Sequence, residues 1–361
     1  MPNQHLRLAV VSAVASVALA AGTSDKTPYH TSRLSGEDWI RELVTGHDDR
    51  IHNELGMHQE VFLLLVRTLR SLGYQDSREV ILEEQLGIFL YTCRTGLSVR
   101  HVGERFQRAN ATIAKYFKKM LLAFSSAPFY TTYVRLPPED EPTPARIYHD
   151  PRYHPFFAHV LGAADGSHIT TAPPAEERGP SRNRKGGVSQ NIFATCTLDT
   201  LLFTYVLSGI EGSATDATVF RMAREADFRV PDGRYYLADA GYGFLDVLLV
   251  PYRGVRYHLA EWGRANVKPV NKEELFNLRH AKLRNAIERL FGILKKRFPI
   301  LRSGCEYRMK HQVRLPPALC ALHNFIRLHD PSEIHDFNDI HEDPDRAPST
   351  GLAKHARYAQ D

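Results

Sequence analysis

Asp165 in GAADGSHI, Asp239 in YYLADAGYG and Glu288 in LRNAIERLFGILKKRF are the residues whose types and settings can do chemistry together. The first two close apolar, β-type runs and the third lies in a helical pattern, so one fold can gather carboxylates that are far apart along the chain. Hard oxygen donors of this kind take Mg²⁺ or Mn²⁺ in preference to zinc. Two such cations, roughly 3.5 to 4 Å apart, are a recurrent arrangement for phosphodiester cleavage. Three gathered carboxylates with no cation would repel one another, so the pattern predicts a metal-holding, catalytic set of Asp165, Asp239 and Glu288. Each acid also has a purely local reading. Asp165 and Asp239 precede small turn-forming residues, and Glu288 can pair with Arg284 one helical turn back.

Other groups with chemical potential are basic. ERGPSRNRKGGVSQN, residues 177–191, places Arg178, Arg182, Arg184 and Lys185 among turn-forming Gly and Asn, a loop able to clamp a phosphate backbone or simply a solvated charge run. LSVRHVGERFQRANATIAKYFKKMLLAF reads as two short helices around QRAN, with Ser98 capping the first and Thr112 beginning the second. In a helix-turn-helix, Arg108, Lys115, Lys118 and Lys119 would face phosphates while Val102, Phe106, Ile113 and Phe117 hold the pair together. An ordinary helical hairpin with a basic face fits the same residues. His168 can touch substrate or make a local hydrogen bond, the second being expected, and Asp216 in EGSATDATVF can be an auxiliary metal-site acid or, as expected, cap the helix that follows it.

The elements that must position these residues fall into two patterns. From 36 to about 135 the spacing is helical, as in VFLLLVRTLRSLG and EEQLGIFLYTC, with Gly73 a C-terminal cap. LPPEDEPTP at 136–144 reads as a linker. From 145 to 328 the chain alternates β-type runs with helices: HVLGAADGSHITT, then NIFATCTLDTLLFTYVL turning at Asp199-Thr200, helical TVFRMAREA, YYLADAG, and a fifth strand in VRYHLAE. A long helix follows, with Ile287, Leu290, Phe291 and Leu294 as its apolar stripe. Residues 329–361 are acidic in their first half, poor in apolar residues and expected to be disordered.

The composition, 43% hydrophobic and 24% charged over 361 residues, is that of a globular protein of more than one unit. A net charge of +5 permits nucleic-acid binding without requiring it. Cys93, Cys196, Cys305 and Cys320 show no CxxC pair and sit in apolar runs, which argues against a zinc site or a disulfide framework and for buried thiols in a reducing compartment. Residues 1–35 include LAVVSAVASVALAA at 8–21, the outline of a secretory signal and too short for a membrane span.

DGSHI, RNRKGGVSQNIFATCTLD, EGSATDATVF, YYLADAGYG, NKEELFNLRHAKLRNAIERLFGILKKRFPIL and LCALHNFIR, in this order, closely resemble the DDE superfamily endonucleases of the PIF/Harbinger transposase type. ILEEQLGIFLYTCRTGLSVRHVGERFQRANATIAKYFKKML is similar to the helical domain that accompanies them in fungal members. The resemblance spans residues 36–328 and implies an α/β, RNase H-like catalytic domain, a central mixed sheet flanked by helices, preceded by an all-helical, helix-turn-helix-like domain. It further implies Asp165, Asp239 and Glu288 as the DDE triad, Mg²⁺ or Mn²⁺ as cofactor with no small-molecule cofactor, and DNA as substrate. A nuclear location, a Myb-like DNA-binding partner and a homo-oligomer belong to the same expectation. Ile210 and Thr215 stand where the family often has Trp and His. The alternative is a domesticated, catalytically weak DNA-binding protein derived from a transposase.

Overall fold

The computed structural model describes residues 28–172, 188–243, 245–257, 259, 268–330 and 332. The apolar leader at 8–21, the basic loop carrying Arg178, Arg182, Arg184 and Lys185, and nearly all of the acidic tail lie outside the described residues.

The first part of the chain is helical. α1 (Gly36–Thr45), α2 (Asp48–Leu55), α3 (Gln59–Ser71), α4 (Leu82–Thr95), α5 (Val99–Phe106) and α6 (Asn110–Phe124) are followed by two short helices, α7 (Phe129–Tyr133) and α8 (Ala145–Tyr148). Local chemistry sets their ends. Ser35 accepts from the Asp38 amide at the start of α1. α3 closes with Gly73 at φ 88°, the Gly73 amide bonding to the Arg70 carbonyl and the Tyr74 amide to the Leu69 carbonyl, the paired bonds of a Schellman cap. α5 and α6 flank a tight turn in which Gln107 takes a left-handed conformation. Val102, Phe106, Ile113 and Phe117 are all fully buried, holding the helix pair together as expected.

The second part is a five-stranded mixed sheet in the order β3-β2-β1-β4-β5, formed by β1 (Val160–Thr170), β2 (Ser189–Cys196), β3 (Phe203–Glu211), β4 (Tyr235–Leu237) and β5 (Leu248–Leu249). β1, β2 and β3 are antiparallel neighbours, while β4 runs parallel to β1 and β5 parallel to β4. α9 (Asp216–Ala226) connects β3 to β4, and α10 (Lys272–Arg297), α11 (Ile300–Ser303), α12 (Met309–Gln312) and α13 (Leu315–His329) follow the sheet. This is an RNase H-like arrangement behind an all-helical region. The fifth strand differs from expectation: it is Leu248–Leu249, and Val255–Tyr257 of the VRYHLAE run carry no strand.

Alternation along the strands gives the sheet two covered faces. Leu161, Ala164, Phe193 and Tyr236 face a cluster with Val219, Phe220 and Ala223 of α9. Ala163, Ile192 and Leu237 face the other cluster, which contains Leu283, Ile287, Leu290 and Leu294 of α10 and continues into the helical region through Phe117, Phe124 and Phe129. Period two therefore puts Asp165, two residues after Ala163, on the α10 side, and Asp239, just past the end of β4, is close enough to Arg284 of α10 to act on its charge. Among the described residues no helix is long and apolar enough to cross a membrane.

Candidate functional site

Asp165 lies within β1, opposite Ala194 of β2. Asp239 follows β4 directly and begins the single turn of 3₁₀ helix Ala240–Tyr242. Glu288 sits on α10 beside the stripe of Ile287, Leu290, Phe291 and Leu294, all of which are buried.

What joins the acids is Arg284. Its side chain is only 4% exposed. Nη1 donates to Asp165 Oδ2 at 3.1 Å, Nη2 donates to Glu288 Oε1, and Nε donates to Tyr257 Oη at 2.7 Å. Burial opposes a charge on Arg284, yet Tyr257, Glu288, Asp165 and Asp239 together carry its pKa well above the ordinary arginine value. The guanidinium is thus a fixed cation with carboxylates around it.

The network continues behind Arg284. The Leu249 carbonyl can only accept, so His280 Nε2, 2.8 Å away, carries the proton. Nδ1 is then the acceptor for the Tyr257 hydroxyl at 3.3 Å. Burial depresses the His280 pKa to about 4 and keeps the ring neutral, and burial lifts Tyr257 to about 12 against the opposing pull of Arg284. A continuous polar path therefore runs from β1 through α10 to the edge strand β5.

On the other side stands Tyr242, whose hydroxyl pKa is pushed well up by burial and then by Asp165, Asp216 and Asp239. A Cβ on Gly241 would lie 2.6 Å from Asp216 Oδ2, so only glycine lets the turn after Asp239 approach that carboxylate. Asp216 was expected to cap α9, but Thr215 is the N-cap, its side chain accepting from the Thr218 amide. Asp216 is instead a fourth acid at this centre. Sequence reasoning missed Tyr242, Tyr257 and His280, and treated Arg284 only as a local partner; its spacing of four from Glu288 was the one available signal.

The expected Mg²⁺ or Mn²⁺ site is corrected by this geometry. Among the described residues no group of three or more His, Cys, Asp or Glu side chains is placed to hold a metal ion. The cation bonded to Asp165 and Glu288 is the guanidinium, whose N–H donors occupy one oxygen of each carboxylate.

Of the residues expected to meet DNA, Arg108 does not face solvent phosphates. It forms a two-pronged pair with the fully buried Glu84, Nε to Oε1 and Nη2 to Oε2, both at 2.9 Å. Lys115 and Lys118 are exposed on α6, and Lys119, partly covered, donates to Gln85 Oε1 at 2.7 Å. His168 bonds Ser189 across the β1–β2 pair at 3.1 Å, the local role expected of it.

Comparison with known families agrees with this layout. A DDE superfamily endonuclease domain is present over residues 164–324. Residues 31–126 match a domain of unknown function (DUF8040). No curated protein and no solved structure shows significant similarity to the chain.

Proposed function

We propose that this protein is a DNA-binding protein descended from a DDE transposase, with its endonuclease domain retained and catalytically weak. The observation that carries the reading is Arg284, buried and bonded to both Asp165 and Glu288. Two of the acids at the centre are thus bonded by a cation from within the chain. The endonuclease domain over residues 164–324 supports DNA as the ligand, and the net charge of +5 is compatible with it. Residual cleavage is assigned to Asp165, Asp239 and Glu288, which surround Arg284 in its electrostatic environment. The motifs DGSHI, YYLADAGYG and LRNAIERLFG support a PIF/Harbinger-type origin, and with it a nuclear location, a Myb-like partner and self-association.

The test uses one preparation for two measurements, duplex DNA binding by fluorescence anisotropy and nicking of supercoiled plasmid. The expected result is salt-sensitive binding with only slow nicking, lowered further in Asp165→Asn. Rapid nicking by wild type that Asp165→Asn, Asp239→Asn and Glu288→Gln each abolish would make the protein an active endonuclease instead. Failure to bind any duplex would remove DNA as the ligand.

A further inference from the structure

α6 and the segment around α12 form the walls of an open groove of about 500 Å³, lined by Lys115, Lys118, Lys119, Lys310, His311 and Arg314 with Leu121 and Leu122. The two walls come from distant parts of the chain, yet they are fixed to each other. Phe117 of α6 stacks on Tyr307 with ring centroids 4.4 Å apart and planes 1° from parallel. Arg314 donates to Ser125 Oγ at 3.2 Å and Ser126 Oγ at 3.3 Å at the end of α6. The groove is thus preformed, and ordering it costs a ligand little.

Its positive charge meets no carboxylate. No acidic residue lines it, and among the described residues none of its lysines or Arg314 lies in an ion pair with a carboxylate. The His311 pKa is lowered, first by burial and then by Lys118, Lys310, Arg314 and Arg308, which places these cations within reach of one another. Like charges held together in this way oppose folding unless a polyanion uses them.

We propose that this groove is the track for the phosphate backbone of duplex DNA, a composite site that needs both α6 and the Lys310–Arg314 segment. The proposal rests on the DNA-binding reading above and adds where the DNA lies. From Lys115 to Leu122 the helix rises about 10 Å, roughly the axial length of three phosphates on one strand. Single-stranded nucleic acid is a poorer fit, because its binding surfaces present exposed aromatic rings for base stacking, and no Phe, Tyr or Trp lines this groove; neighbouring Tyr307 is buried against Phe117. Contacts to phosphates carry no sequence information, so binding in this groove is expected to be indifferent to sequence.

The experiment compares wild type, Lys310→Glu, and Lys310→Ala combined with Arg314→Ala, by anisotropy on two unrelated duplexes across a salt series. The double variant should lower the salt slope by about 2 and weaken binding about 30-fold near 0.15 M salt, equally on both duplexes. Lys310→Glu should weaken binding in the same sense. Lys310 makes no hydrogen bond or ion pair among the described residues, so this variant guards against loss of fold. Unchanged affinity and slope in Lys310→Glu, with wild type binding normally, would overturn the groove and leave the DNA-binding reading standing. No binding by wild type would overturn both. Displacement of DNA from wild type by poly-glutamate at equal charge concentration would point to an acidic protein partner and also overturn the proposal.

Discussion

The centre around Arg284 and the groove around Lys118 treat charge in opposite ways. In the first, a buried cation is paired with two acids inside the fold. In the second, five lysine and arginine side chains share one rim without an acid among them. The Glu84–Arg108 pair follows the first pattern inside the helical region. A buried carboxylate thus recruits an arginine from within the chain, because an unpaired interior charge costs several kcal/mol. Charge left in solvent carries little such penalty and stays available to a ligand. The contrast separates what this protein uses to fold from what it offers to a partner.

The comparison breaks most visibly at Arg284. Arg284→Ala takes the guanidinium away from Asp165 and Glu288 and should lower unfolding free energy by about 3–5 kcal/mol in urea titrations. Adding Asp165→Asn and Glu288→Gln should recover much of the loss, since the carboxylate charges go with them. A single-variant loss below about 1 kcal/mol would mean that the centre does not depend on its guanidinium.

A somewhat smaller effect is expected from pH. The folded His280 pKa is depressed to about 4 by burial, below the ordinary value of about 6.5. The unfolded chain therefore takes up a proton that the folded chain refuses. The stability contributed by neutral His280 is complete above about pH 6.5 and is lost as pH falls to about 4, amounting to roughly 3 kcal/mol. Buried His323, also depressed, adds to the slope in the same sense. His280→Gln should flatten the pH dependence of unfolding between these limits while leaving the His323 part. An unchanged slope would place the titration elsewhere.

The smallest expected change sharpens the other side of the comparison. Lys115→Ala with Lys118→Ala should alter unfolding free energy by no more than about 0.5 kcal/mol, because both side chains are exposed. The same variant should bind duplex DNA more weakly. A stability loss of about 2 kcal/mol would show that the lysines support the fold rather than a ligand.

Much of the arrangement was legible in the sequence because it is written in local pattern. Period two along β1 and the stripe through Ile287 and Leu290 set the faces that bring Asp165 and Glu288 together. The Arg284–Glu288 pair is a spacing of four on one helix. What was not legible is contact between distant segments. Asp165 meets the same guanidinium across 119 residues, and Glu84 captures Arg108 across 24, with no local signature in either case. Strand β5, two residues long, is too short to show alternation. In ATDAT either Thr215 or Asp216 could cap, and the choice depends on which side chain reaches the Thr218 amide.

The most direct test of the account is thermal unfolding of wild type with increasing Mn²⁺, beside Asp165→Asn as reference. A ligand that binds only the folded state raises Tm with the logarithm of its concentration once that exceeds Kd. With Arg284 bonded to both Asp165 and Glu288, the two proteins should show the same response, with no Mn²⁺-dependent rise particular to wild type. A rise in wild type that Asp165→Asn abolishes would contradict the claim that the guanidinium is the cation Asp165 and Glu288 hold.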